Sequence, residues 1–231
     1  MKYIRKSEGR GVANHGWLNS KHSFSFANYY DPKHMGFSVL RVINDDTVAP
    51  GKGFGAHGHR DMEIISYVTQ GSLRHEDSEG NKHVVTVGEI QRMSAGTGVM
   101  HSEYNASETE NVKFFQIWIE PNKRGIKPSY AQKNIPQKGT LTPLITTTGD
   151  DGTISIQQEA NLSRLVLNEK ENFTLAPTKQ LGYLHIVKGE LVVDGQSFVA
   201  GDAFSVEPLQ KLTLQAISTL EALWFELPEN H

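Results

Sequence analysis

Two short pairs of side chains in this sequence have the chemistry and spacing to hold a metal ion. They are His57 and His59 in GFGAHGHRDME, and His101 and Glu103 in SAGTGVMHSEYN. Each pair is spaced i, i+2, and side chains alternate between the two faces of a β-strand, so the members of a pair project together. Two such strands opposed across a small barrel would bring three imidazoles and a carboxylate to one point, a mononuclear metal centre. Glu63 shares the odd parity of His57 and His59, so strand parity permits it as the carboxylate as readily as Glu103. The chain has no cysteine. Thiolate zinc sites, disulfides and cysteine redox chemistry are therefore excluded, and any metal must be held by nitrogen and oxygen.

The elements that would position these pairs read as strands. Helical periodicity is scarce, and short runs rich in β-branched and aromatic residues recur at 37–43, 62–68, 113–119, 162–167, 183–187 and 220–225. Short strands separated by Gly, Asp and Asn predict an all-β sandwich or barrel. A weak internal repeat predicts two such units. The stretch ISYVTQGSLRHEDSEGNKHVVTVGEIQRMSAGTG aligns with YLHIVKGELVVDGQSFVAGDAFSVEP, matching Gly71 to Gly189, Gly80 to Gly195 and Gly88 to Gly201. Between them, residues 120–143 hold four of the nine prolines and few large apolar side chains, the composition of a linker. The expected organisation is a metal-binding domain over 1–125, a linker over 126–142 and a second domain over 143–231.

At 231 residues and 37% hydrophobic, the chain can bury one large or two small cores. A net charge of −3 and a pI near 6.4 give no electrostatic case for nucleic acid or an anionic membrane. The N-terminal MKYIRKSEGRG has basic residues with no apolar run behind them, so it does not read as a signal peptide. No apolar run approaches the ~18 residues of a spanning helix. The expectation is a cytoplasmic protein, monomeric in the absence of any coiled-coil pattern.

The ligand pairs fall in a recognisable frame. Gly51, five residues, His57-x-His59, three residues and Glu63 reproduce the first metal-binding motif of cupins. Gly98, two residues, His101, three residues and Asn105 reproduce the second, with Gly96 where proline is usual and Gly71 one residue late. The segments HGWLNSKHSFSFANYYDPKHMGFSVLRVINDD, GFGAHGHRDMEIISYVTQG and MSAGTGVMHSEYN further resemble the pirin family, closely over the N-terminal half and in outline over the rest. That resemblance implies two cupin barrels of jelly-roll type in tandem. It implies one metal in the first, usually iron, held by His57, His59, His101 and Glu103, and none in the second. Consistently, FTLAPTKQ has no His-x-His pair, and His185 stands alone. Fe(II) is the favoured ion, although Mn, Co, Ni, Cu or Zn could occupy a site of this donor type.

The resemblance implies quercetin 2,3-dioxygenase activity: a flavonol as substrate, O2 as co-substrate, and Glu103 as general base for the flavonol 3-hydroxyl. The alternative it carries is a non-enzymatic regulator that binds other proteins, with the metal as a structural or redox-sensing element. A cupin isomerase or lyase is a third possibility. Among other residues, Trp17, Phe24, Phe26, Tyr29 and Tyr30 read as packing over the barrel end. His15, His22 and His34 read as surface or hydrogen-bonded residues, with His22 and His34 solvated. Met93, Met100, Phe54 and Phe115 are candidate pocket walls. Gly53, Gly55 and Gly58 read as letting backbone come close to the metal-bearing strand and as removing side chains that would block substrate access.

Overall fold

Strand follows strand from one end of the chain to the other, as expected from its alternating β-branched runs. The computed structural model describes residues 1–177 and 180–229. Thr178 and Lys179 of the FTLAPTKQ stretch, and the terminal Asn230 and His231, lie outside the described residues. The fold is nearly all β, with a single short 3-10 turn at Ser7–Gly9 among the described residues.

The chain divides into two compact units. One comprises residues 11–135 and 148–158. Its larger sheet has seven strands in the order Ser129–Asn134, Glu89–Ser94, Glu63–Gln70, Val112–Ile119, Leu40–Val48, Leu18–His22 and Gly11–Asn14. Its smaller sheet has four, in the order Gly53–His59, Val99–Asn105, Ser72–Asp77 and Lys82–Thr86. The two form a jelly roll of separate sheets rather than a closed barrel. Leu18, Val48, Val68, Leu73, Val85, Val112 and Phe114 pack at one end of its interior, and Ile64, Met93, Ala95 and Val99 form a second cluster.

The other unit comprises residues 1–10, 136–147 and 159–231. Its smaller sheet, Asn172–Leu175, Leu212–Ala216, Glu190–Val193 and Gln196–Val199, repeats the order of the first unit's. The aligned glycines hold the same turns: Gly71, Gly80 and Gly88, like Gly189, Gly195 and Gly201, all have positive φ, the left-handed region that favours glycine.

The division differs from the expected boundaries. Residues 1–10 group with the second unit, and 148–158 group with the first. Part of the segment expected as linker is a strand, because Ser129–Asn134 pairs residue for residue with Glu89–Ser94. Its prolines fall outside that strand, at 121, 128, 136 and 143, so proline content marked the flanks and concealed an edge strand.

Candidate metal centre

The two ligand pairs lie on neighbouring strands of the four-stranded sheet. Gly53–His59 runs antiparallel to Val99–Asn105, placing His57 opposite His101. A bulge between His101 and Glu103 then shifts the register, so that Glu103 pairs with Phe54. The extra residue lies on the Gly53–His59 strand, where residues 55 and 56 oppose Ser102 alone. On its other edge Val99–Asn105 sets Glu103 opposite His75 and His101 opposite Asp77. Gly53 is required by this packing, since a Cβ there would overlap the carbonyl oxygen of Glu103. This is the close backbone approach expected of it.

The imidazoles converge. His101 Nε2 lies 3.0 Å from His57 Nε2 and 3.0 Å from His59 Nε2. His57 Nδ1 donates to the Gly55 carbonyl at 2.8 Å, so its Nε2 keeps a lone pair. Burial, then the neighbouring imidazoles, pushes His59 down to about 4 and His101 down to about 3. These are neutral bases near pH 7. The Nε2 atoms of His57 and His59 both lie at hydrogen-bond distance from that of His101, a gathering of nitrogen donors that a divalent cation satisfies.

The carboxylate candidates part company. Glu103 is 2% exposed, and its Oε1 accepts a hydrogen bond from Ser66 Oγ at 3.0 Å. Glu103, His101 and His75 each place a ligand atom within 4.8 Å of the others. Burial pushes the Glu103 carboxyl up, partly offset by His75 and Ser66. Glu63 lies on a different sheet from the histidine pair, because the chain turns at Asp61 (φ 47°) before Glu63 opens its own strand. Its Oε2 accepts from Ser94 Oγ at 2.9 Å and from the Gln157 backbone at 3.3 Å, and it joins neither potential metal-holding cluster among the described residues. Parity carries across a continuous strand only, and the turn breaks it.

His75 was not singled out from the sequence. Its Nδ1 accepts from Gln91 Nε2 at 3.2 Å, and its Nε2 donates to Asp77 Oδ2 at 2.9 Å. In LRHED it does form an i, i+2 pair with Asp77, a signal that falls outside both motif frames. Both groups that could hold a metal, His57/His59/His101 and His75/His101/Glu103, lie in the first unit.

A cavity of about 360 Å³ opens beside His57 and His59, walled by Trp17, Phe26, Phe54 and Trp118. Trp118 meets the His59 ring edge-on at 4.9 Å. Of the candidate wall residues, Phe54 lines this cavity. Met93 packs in the Ile64 cluster, Phe115 is buried, and Met100 lines a separate depression beside His59. The expected packing role of the aromatic segment holds for Phe24, which is 1% exposed, whereas Trp17 and Phe26 face the cavity and Tyr30 is largely exposed. His22 is buried against Asn44, with Nδ1 2.7 Å from Asn44 Oδ1, and is not solvated.

Two jelly rolls in one chain, with a histidine-rich cluster inside the first, define a metal-binding bicupin. A family model described as Pirin matches residues 4–119, and one described as Quercetinase C-terminal cupin domain matches residues 144–227. The chain belongs to the pirin family. It is 44% identical over 230 residues to the quercetin 2,3-dioxygenase of Escherichia coli K12, covering 99% of both chains. It is 41% identical to a pirin-like protein of Caulobacter vibrioides, covering 91% of this chain and 93% of that one. Among solved structures it is similar to YhhW from Escherichia coli, with a TM-score of 0.94, 44% identity and 99% of each chain covered. It also matches the bacterial pirin YhhW in complex with nickel(II), at a TM-score of 0.93, 44% identity and 98% of each chain covered. No helix among the described residues is long and apolar enough to cross a membrane.

Proposed function

We propose that this pirin is a flavonol dioxygenase, opening the central ring of quercetin-like substrates with O2 and releasing carbon monoxide. The observation that carries this reading is the aromatic-walled cavity whose inner surface includes His57 and His59. Its volume falls within the ~300–1,000 Å³ typical of small-molecule sites. A flat polyphenol suits Trp17, Phe26, Phe54 and Trp118, which offer ring faces and edges. The name carried by its Escherichia coli relative supports the same chemistry.

In this reading His57, His59, His101 and Glu103 hold the ion. When bound, Fe(II) supplies Lewis acidity toward the substrate 3-hydroxyl and a redox centre for oxygen. His59 and His101 stay neutral donors because burial disfavours their charged forms. Glu103 accepts the hydroxyl proton. Its burial raises its proton affinity, and Ser66 Oγ fixes one of its oxygens. His75, oriented between Gln91 and Asp77, backs the carboxylate from the neighbouring strand. Aromatic walls exclude water from the reacting ring.

The test combines metal content with oxygen dependence. Glu103→Gln and His57→Ala should lose bound iron about ten-fold or more, while Glu63→Gln keeps it. Iron-loaded wild type should consume quercetin and O2 together and stop under anaerobic conditions. Metal loss in Glu63→Gln but not Glu103→Gln would overturn the ligand assignment. Quercetin loss that persists without O2, or in His57→Ala, would overturn the dioxygenase. Iron binding with no flavonol turnover would favour the regulatory alternative.

A further inference from the structure

The inner face of the seven-stranded sheet carries more polar groups than metal binding uses. One register row crosses five adjacent strands: His22 opposite Asn44, Asn44 opposite Gln116, Gln116 opposite Ser66, and Ser66 opposite Gln91. All five are buried. Two of them serve the metal side, since Ser66 bonds Glu103 and Gln91 bonds His75. His22 and Asn44 bond each other. Gln116 turns the other way, its Nε2 donating to Asp46 Oδ2 at 3.1 Å.

Asp46 is hydrogen-bonded by Ser20 and Gln116 and makes no hydrogen bond to the metal cluster. It is 1% exposed, its Oδ1 is buried without a hydrogen bond, and it lines the same cavity as His57 and His59. An unsatisfied buried acceptor costs about 1–3 kcal/mol, and an apolar residue would avoid that cost. A vacant acceptor on an aromatic-walled cavity calls for a ligand that brings a donor on a flat apolar body. A phenolic hydroxyl has that character. An anionic group at the same place would be repelled.

We propose that Asp46 is a specificity-determining residue, whose Oδ1 accepts a hydrogen bond from a substrate phenolic hydroxyl other than the one directed at the imidazoles. This rests on the flavonol reading above. Burial pushes the Asp46 carboxyl up to about 7, opposed by Ser20 and Gln116 and reinforced by Glu103 and Asp45. A donor from the ligand favours the ionised form, so binding of the hydroxyl draws the carboxylate out. Sites built to bond a hydroxyl discriminate strongly against analogues lacking it, because the buried polar group is then left unpaired.

The test measures binding without turnover. Zinc-loaded protein under nitrogen is titrated with quercetin and with 3-hydroxyflavone, which keeps the 3-hydroxyl and 4-carbonyl but lacks the remaining hydroxyls. Quenching of Trp17 and Trp118, which line the cavity, reports occupancy. Wild type should prefer quercetin by about ten-fold or more. Asp46→Val, which removes the acceptor, should lose about that factor for quercetin and leave 3-hydroxyflavone unchanged, with Asp46→Ala run beside it and zinc content verified in both. Equal loss for both ligands, or loss for neither, overturns the assignment. Wild type that binds the two ligands equally overturns it without any variant. Wild type that binds neither overturns the flavonol reading itself.

Discussion

Asp46 also bears on stability, because a carboxyl inside the first unit resists ionisation. With burial raising its pKa from 3.8 to about 7, the folded chain holds this proton over a range where the unfolded chain has released it. The stability contributed is fully present below about pH 4 and is lost as pH rises toward 7, by about 1.4 kcal/mol per unit. Asp46→Asn removes that dependence. In metal-free protein, urea unfolding at pH 5 and pH 8 should show the variant gaining on wild type as pH rises, and parallel profiles would refute the burial effect. At this scale the sequence was legible where chemistry came in pairs. His57/His59 and His101/Glu103 announced themselves by spacing, whereas Asp46, Asn44 and Gln116 are ordinary polar residues within apolar strands, and only the cavity they line gives them meaning.

Strand pairing decides whether a ligand set exists at all. Counting from the paired glycines, the register puts Leu73 in the place of Leu191, so His75, His101 and Glu103 correspond to Val193, Leu212 and Leu214. Leu175 pairs with Leu212 as His57 pairs with His101. The second unit thus builds the same small sheet with aliphatic side chains, and these join its apolar cluster. One scaffold supports a metal cluster or a dry core according to four or so inward positions. The first unit's version depends on close approach at Gly53. Gly53→Ala should push the Val99–Asn105 strand away, lowering stability by about 1–3 kcal/mol and weakening zinc binding. Gly55→Ala is the control, since its Cβ would meet nothing nearer than Tyr104 OH at 3.8 Å. Calorimetric zinc titration of both variants checks the contrast, and equal effects would remove the special role of Gly53.

For the whole molecule, both potential metal-holding clusters among the described residues fall in one unit, so stabilisation by a bound ion should appear there. An ion that binds only the folded state stabilises it by about 2.7 kcal/mol at a hundred-fold excess over Kd. Amide hydrogen exchange with and without zinc should therefore show added protection in Gly53–His59 and Val99–Asn105, which carry the ligands. The corresponding Asn172–Leu175 and Leu212–Ala216 strands should change little, and uniform protection across both units would contradict a site confined to the first. The two-unit plan was visible from the glycine repeat, which marks turns by a backbone requirement. Its boundaries were not: segment 1–10 joins the second unit through the pairing of Ile4 with Phe204, which composition does not reveal, and 148–158 groups with the first.

By itself, then, the sequence determined the β class, the duplication, the absence of thiolate chemistry and three of the candidate donor side chains. Each of these rests on local physics: side-chain alternation, turn conformation or residue type. Only the tertiary structure separated Glu103 from Glu63, brought His75 behind the ligands, and set a polar row opposite them with Asp46 at the cavity. Those depend on a turn at Asp61, a bulge after His101 and the cross-strand register of five strands. Such contacts join residues tens of positions apart, and no local spacing encodes them.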